Sequence, residues 1–181
     1  MADGKSSYER YLSGDDAGLA DIIAEYKDPL TLFLCGVTGN FHTAEEAAEE
    51  TFFILAAKRP RFRGKSSFKT WIYAIAKNTA YKMMKKDSRA LPLDEADAAE
   101  ESALEQSVVA DERKRILHGA LSNIRGDYRD ALYLSYIEGM SNGEISRVMK
   151  KNSRQVENLL CRARAALRRE LEKEGFTYED L

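Results

Sequence analysis

Apolar residues recur every three or four positions along most of the chain, and strand-like alternation is nowhere sustained. Leu19, Ile22, Ile23 and Tyr26 predict a first helix. Asp28 and Pro29 suit an N-cap and a first helical position, so a second helix is expected to begin there and carry Leu30, Phe33, Leu34 and Val37. Thr43, with Glu46 three residues on, reads as the capping box of a third. Its inner face is Ala44, Ala47, Ala48, Phe52 and Leu55, while Glu45, Glu46, Glu49 and Glu50 crowd its outer side. From Phe68 to Lys86, the residues Phe68, Trp71, Ile72, Ile75, Ala76, Thr79 and Met83 fall at helical spacing and point to a core. Lys69, Tyr73, Lys77, Tyr81 and Lys85 read as an outward stripe, flanked by Thr70, Asn78 and Lys82.

The pattern breaks at "LPLDEADAAEESALEQSVVADE", which holds Pro92 and an acidic, alanine-rich run. It resumes near Asp111 with Ile116, Leu117, Ala120, Leu121 and Ile124, then "DYRDALYLSYIEG", ending at Gly139. Ser141 and Glu144 form a second capping box, ahead of Ile145, Val148 and Met149 on an inward face. After "KKN", a longer helix carries Val156, Leu160, Ala163, Leu167 and Leu171. A short helix, a tight turn and a helix with polar N-terminal residues make a helix-turn-helix pattern, although this turn lacks glycine. The expected fold is all-α: one helical domain over 1–89, an acidic linker over 90–112, a second domain over 113–175, and a tail over 176–181.

Charge changes the picture because it is sorted. The formal net charge is −2, yet residues 58–89 carry 11 basic and 1 acidic side chains, while 90–112 carry 8 acidic and no basic ones. Residues 1–57 hold 11 acidic against 3 basic, and 113–181 hold 14 basic against 10 acidic. Such blocks imply different partners for different faces. With 44% hydrophobic and 32% charged residues the composition is that of a soluble globular protein. No apolar run approaches the ~18 residues a membrane span needs, and "MADGKSSYER" lacks a signal-peptide core, so membrane insertion is not expected and the cytosol is. Cys35 and Cys161 stand apart from each other and from any metal-type spacing to His42 or His118, and read as ordinary thiols.

The segment "RPRFRGKSSFKTW" places five cations and three aromatic rings in thirteen positions. Cations neutralise phosphates, and ring faces and guanidinium planes stack on unpaired bases at roughly 1–3 kcal/mol per base. Gly64, Ser66 and Ser67 add a polar turn leading into a helix N-terminus suited to anions. The segment therefore suits opened, single-stranded DNA, with Phe68 and Trp71 read as core. On the last helix, Ser153, Arg154, Gln155, Glu157 and Asn158 occupy the first turns, from which side chains reach base edges in duplex DNA. Arg162, Arg164, Arg168 and Arg169 follow and suit phosphates. The four glutamates over 45–50 lack a histidine and have the spacing of a solvated helix face, which fits a protein partner better than a metal site. No catalytic residue, metal or cofactor is expected.

These two segments resemble the sigma-70 family of bacterial RNA polymerase factors, in its short extracytoplasmic-function group. "AEEAAEETFFILAAKRPRFRGKSSFKTWIYAIAKNTAYKMMKK" is similar to the region that grips polymerase and opens the promoter. "ALYLSYIEGMSNGEISRVMKKNSRQVENLLCRARAALRREL" is similar to the promoter-reading C-terminal domain. The resemblance implies a promoter-specific transcription initiation factor whose partners are core RNA polymerase (its β′ clamp and β flap), promoter DNA and an anti-sigma factor. It assigns Glu45, Glu46, Glu49, Glu50, Thr51 and Phe52 to the β′ clamp. Arg61, Phe62, Arg63, Gly64, Lys65, Ser66, Ser67, Lys69, Asn78, Thr79 and Lys82 fall to the −10 element, the loop over 62–67 capturing a flipped base. Ser153, Arg154, Gln155, Glu157, Asn158 and Arg162 fall to the −35 element, and Trp71 to a structural role. The acidic linker resembles one that threads a polymerase channel. An anti-sigma helix between the domains rests on family analogy alone.

The chain departs from the family pattern at Lys150, where a turn glycine is usual, and at Gln155, where threonine is common. Glu157 and Leu159 stand where basic residues are frequent, and Glu157 would repel a nearby phosphate. These changes imply weaker −35 contacts or a different base preference. No sensor of its own and no domain beyond Leu181 is expected. Two other classes account for part of the pattern. A stand-alone helix-turn-helix regulator explains 111–172 but leaves the glutamate helix idle; a helical adaptor would use the basic stripe against an acidic protein.

Overall fold

The computed structural model describes residues 4–90 and 112–175, and within these every regular element is a helix or helical turn. The chain divides into two compact units, Met1–Glu100 and Glu101–Leu181, with the division inside the acidic stretch. Of the linker expected over 90–112, Ala90 ends one helix and Glu112 begins the next, while 91–111 lie outside the described residues, as does the tail from 176.

The first unit holds α1 (Gly4–Leu12), α2 (Ala17–Thr38), α3 (Phe41–Phe53) and α4 (Phe68–Ala90). The expected break at Asp28 and Pro29 does not occur, for α2 runs through Pro29 without interruption. A proline inside a helix costs about 3 kcal/mol. Against that, Leu30, Phe33 and Leu34 are essentially fully buried on the same face as Ile22 and Tyr26. Each such side chain stabilises by about 1.5–3 kcal/mol, so packing outweighs local preference. The carbonyl deprived of its donor belongs to Glu25, on an exposed turn.

The capping box expected at Thr43 and Glu46 is also corrected. Helix α3 starts earlier, at Phe41, and its cap is Asn40, whose side chain accepts from the Thr43 N–H at 2.9 Å. The inner face is as expected: Ala44, Ala47, Ala48, Phe52 and Leu55 are buried. A π-helical turn, Ile54–Lys58, follows α3, and Arg59 then takes a left-handed backbone, φ 42 and ψ 54.

The outward stripe on α4 breaks in the middle, since Tyr73 is 0% and Lys77 6% exposed. Positions four apart advance about 400° on a helix, a drift of roughly 40° per step. A stripe of five such positions therefore winds across the helix, and α4 meets α1, α2 and α3 along its inner arc. Tyr81 and Lys85, at the stripe's far end, are exposed.

Helix α1 was not foreseen from the sequence. It buries Tyr8 and Tyr11 and lies so close to α2 that a Cβ on Gly18 would stand 2.7 Å from the Tyr11 backbone nitrogen.

The second unit holds α5 (Glu112–Asn123), α6 (Gly126–Leu132) with a π-helical turn Tyr133–Ile137, α7 (Asn142–Met149) and α8 (Ser153–Lys173). Ala120, Ile124, Leu134, Ile145, Val148, Val156, Leu160 and Ala163 form its core. Leu117, one of the apolar residues that mark α5 in the sequence, is 42% exposed. The Ser141–Glu144 capping box is present. Lys150 closes α7 with φ 53 and ψ 43, the left-handed position that usually selects glycine, at a cost of about 1–2 kcal/mol. Asn152 and Gln155 then form a second capping box, which the sequence reading missed.

Candidate nucleic-acid interface

In the first unit the loop between the π-helical turn and α4 presents Arg61, Arg63 and Lys65 to solvent around Gly64, whose φ is 66°. Ser67 ends the loop as the cap of α4: its hydroxyl oxygen accepts from the Thr70 N–H at 3.2 Å and bonds the Thr70 hydroxyl at 2.7 Å. The loop thus delivers its cations beside a helix N-terminus, where backbone N–H groups favour an anion. Phe62 is half-buried, its ring 5.1 Å from Trp71 and 5.7 Å from Phe68. Phe68 is buried, as expected, and Trp71 half-buried.

Along α4, Lys69 is half-buried and Lys82, Lys85 and Lys86 are exposed. The half-buried Asn78 donates its side-chain N–H to the Ala74 carbonyl at 2.6 Å. Thr79 departs from the DNA-facing role: it is 6% exposed and its hydroxyl donates to the Ile75 carbonyl. The position that fitted both a core and a base-reading assignment belongs to the core, because its hydroxyl is satisfied within the helix.

The glutamate helix divides in a similar way. Glu46 and Glu49 are exposed and Glu45 and Glu50 half-buried. Thr51 and Phe52, read as part of the same contact surface, face inward: Thr51 is 0% exposed with its hydroxyl on the Ala47 carbonyl, and Phe52 is 7% exposed. The large apolar side chains that α3 does expose are Phe53, at 58%, and Phe41, at 40%. Adjacent residues on a helix lie about 100° apart, and here Phe52 falls on the inner face while Phe53 falls outside it. Among the described residues no cluster of histidine, cysteine or carboxylates could hold a metal ion.

In the second unit Ser153, Arg154, Gln155, Glu157, Asn158 and Arg162 are all exposed on α8. The Gln155 side-chain carbonyl accepts from the Asn152 N–H at 2.9 Å, so it caps the helix it was read as extending from. Leu159 is buried, which explains an apolar residue at that position. An open cavity of about 280 Å³ lies beside these turns, lined by Arg125, Asp127, Tyr128, Lys151, Gln155, Asn158, Leu159 and Arg162. Arg125 pairs with Asp127 at 3.1 Å and lies 4.9 Å from the Tyr128 ring centre. Arg125 and Lys151 are cations the sequence reading did not single out. Further along, Arg164 bonds the Tyr136 hydroxyl at 3.3 Å, which raises its pKa, and Arg168 pairs with Glu172. Among the described residues no helix is long and apolar enough to cross a membrane.

Comparison with known proteins agrees with this division. A model of sigma-70 region 2 matches residues 22–90, and one of sigma-70 region 4 matches residues 114–167. The ECF RNA polymerase sigma factor SigW of Bacillus subtilis is 27% identical over 179 residues, covering 92% of this chain and 96% of that protein. The RNA polymerase sigma-H factor of Pseudomonas aeruginosa is 27% identical over 176 residues, covering 91% of each. Among solved structures, the sigma factor RpoE in complex with the anti-sigma factor NepR from Bartonella quintana has a TM-score of 0.65 at 21% identity, over 84% of this chain and 96% of that one. CnrH in complex with the cytosolic domain of CnrY has a TM-score of 0.68 at 19% identity, over 96% and 99%. These two show a shared fold. The two family regions lie in order, each within one compact unit, and together match more than half of the chain: it belongs to the sigma-70 family, in the extracytoplasmic-function group, and is a promoter-specific transcription initiation factor.

Proposed function

We propose that the two units divide promoter recognition by the state of the DNA. The loop over 61–67, with Lys69, Asn78 and Lys82 on α4, holds the −10 element as it opens. Helix α8, through Ser153, Arg154, Gln155, Asn158 and Arg162, reads the −35 element as duplex. The acidic face of α3, centred on the exposed Glu46 and Glu49, docks on the β′ clamp of core polymerase, the second unit engages the β flap, and the residues over 91–111 connect the two. Polymerase carries out the synthesis and this chain supplies no chemistry of its own. Its site of action is the cytosol.

One observation carries the reading: an exposed Arg–Arg–Lys loop running into the capped N-terminus of α4, in the same unit as an exposed glutamate face. The loop suits unpaired nucleic acid and repels a basic protein, whereas the glutamates do the reverse. An anti-sigma partner is supported by the structural neighbours, one of them a sigma factor bound to an anti-sigma factor. Transcription with bacterial core polymerase on a genomic DNA pool tests the reading. The expected product is a discrete set of start sites that depends on the chain. No start site beyond those of core polymerase alone would contradict it.

A further inference from the structure

Helix α1 has no part in the interface described above, yet its contacts converge on the loop at the centre of it. The Tyr8 hydroxyl donates to the Pro60 carbonyl at 2.8 Å and the Tyr11 hydroxyl to the Ala56 carbonyl at 3.0 Å. The Ala56 carbonyl stands in the last turn of a helix and the Pro60 carbonyl in the loop beyond it, so these phenols satisfy acceptors that would otherwise need water. Between the two carbonyls in sequence sits Arg59, in a left-handed backbone at φ 42, with its guanidinium 5.0 Å from the Tyr11 ring centre. A non-glycine residue keeps that conformation where its surroundings hold it.

The far end of the loop is held through rings. Tyr8 lies 5.7 Å from Phe68 and 5.4 Å from Trp71, the same two rings on which Phe62 packs. One helix turn thus fixes the entry of the loop by hydrogen bonds and its middle by shared packing. Burial raises the Tyr8 pKa to about 12, so the phenol remains a donor at physiological pH.

We propose that Tyr8 and Tyr11 are positioning residues for promoter opening: they hold the loop over 59–67 in its DNA-ready shape and thereby set how strictly it chooses the unpaired base it receives. The proposal rests on the reading of that loop given above. Its physical basis is preorganisation, because a loop already ordered loses less conformational freedom when DNA binds. Phenylalanine at either position keeps the buried ring and removes the hydroxyl, which separates the hydrogen bonds from the packing.

The test uses holoenzyme assembled from bacterial core polymerase and the full chain, wild type or Tyr8→Phe/Tyr11→Phe, on a promoter selected by the wild type. Permanganate reactivity of unpaired thymines measures opening on duplex, and a pre-melted template with substituted −10 bases measures discrimination. The double variant is expected to open duplex about tenfold less and to discriminate at least threefold less on the pre-melted template, with unchanged affinity for polymerase. Each single variant should give part of the same loss, which keeps the test valid where the pair is poorly folded. Opening and discrimination equal to wild type at saturating holoenzyme, with a lowered melting temperature alone, would overturn the proposal. Wild-type holoenzyme that opens no promoter would instead remove the reading of the loop on which it rests.

Discussion

The two segments proposed to face DNA are built by opposite means. In the second unit the proposed contact residues stand on a regular helix, and the geometry of α8 is set by neighbours within three positions: Asn152 with Gln155, and Ser141 with Glu144 for the preceding helix. In the first unit the proposed site is centred on a loop, beside Lys69, Asn78 and Lys82 of α4, and the loop is shaped by residues 45 and 52 positions away in α1 and by a cluster of rings. A helix face suits duplex, whose groove is regular. A loop suits bases that have left the stack and must be met individually. Strain follows the same division. Lys150 is a single left-handed residue in a turn, whereas Arg59 is left-handed under a tyrosine ring with hydrogen-bonded carbonyls near it.

The contrast is open to mutation, and the largest effect is expected where protein meets protein. Glu46→Lys with Glu49→Lys should weaken assembly with core polymerase by about a hundredfold, since charge reversal at a docking surface costs several kcal/mol. Gel-filtration or fluorescence titration against core polymerase measures it, and full assembly would break the assignment of α3. The loop comes next. Arg61→Ala/Arg63→Ala/Lys65→Ala should lower affinity for a single-stranded −10 oligonucleotide in holoenzyme by about tenfold or more. The same triple variant should flatten the log–log salt dependence of that binding by a slope of about 2, from three phosphate contacts at roughly 0.7 each. A salt slope equal to wild type would show that these cations do not meet phosphates.

Smaller effects sharpen the contrast in backbone terms. Pro29→Ala should raise thermal stability by about 1–3 kcal/mol, because α2 keeps its packing and regains a hydrogen bond. Lys150→Gly should stabilise the second unit by about 1 kcal/mol by relieving the left-handed backbone, with promoter choice unchanged; differential scanning calorimetry reads both. The smallest concerns pH. Hydrogen bonds from Arg10, then from the Ala17 N–H, hold the Asp15 carboxyl below its ordinary pKa. A depressed folded pKa stabilises above the unfolded carboxylate value and loses that contribution as pH falls through the folded one. Asp15→Asn should therefore lower the melting temperature slightly at neutral pH and leave it unchanged in acid, which flattens the acid-side decline; the effect is small because both groups are exposed.

The same contrast explains what could be read from the sequence. The all-α class, the inner face of α3, the Ser141–Glu144 cap and the exposed first turns of α8 follow from spacings of three and four, which a linear text displays. Pro29 misled because its local preference is real and was outweighed by Leu30, Phe33 and Leu34 in a core the text does not show. Tyr73 and Lys77, expected outward, lie on a stripe that winds into the protein. Phe53 is exposed beside the buried Phe52, a split that a run of two phenylalanines does not display in the sequence. Helix α1 was missed because its value lies in Tyr8 and Tyr11 reaching Pro60 and Ala56, contacts with no sequence signature.

Central to the account is the claim that the first unit handles unpaired DNA and the second handles duplex. A crossed binding experiment in holoenzyme tests it most directly, pairing the triple loop variant and Arg154→Ala/Arg162→Ala with a single-stranded −10 oligonucleotide and a −35 duplex. The account predicts that the loop variant loses about tenfold on the single strand and little on the duplex, and that the α8 variant shows the reverse. Equal losses on both ligands from either variant would contradict it.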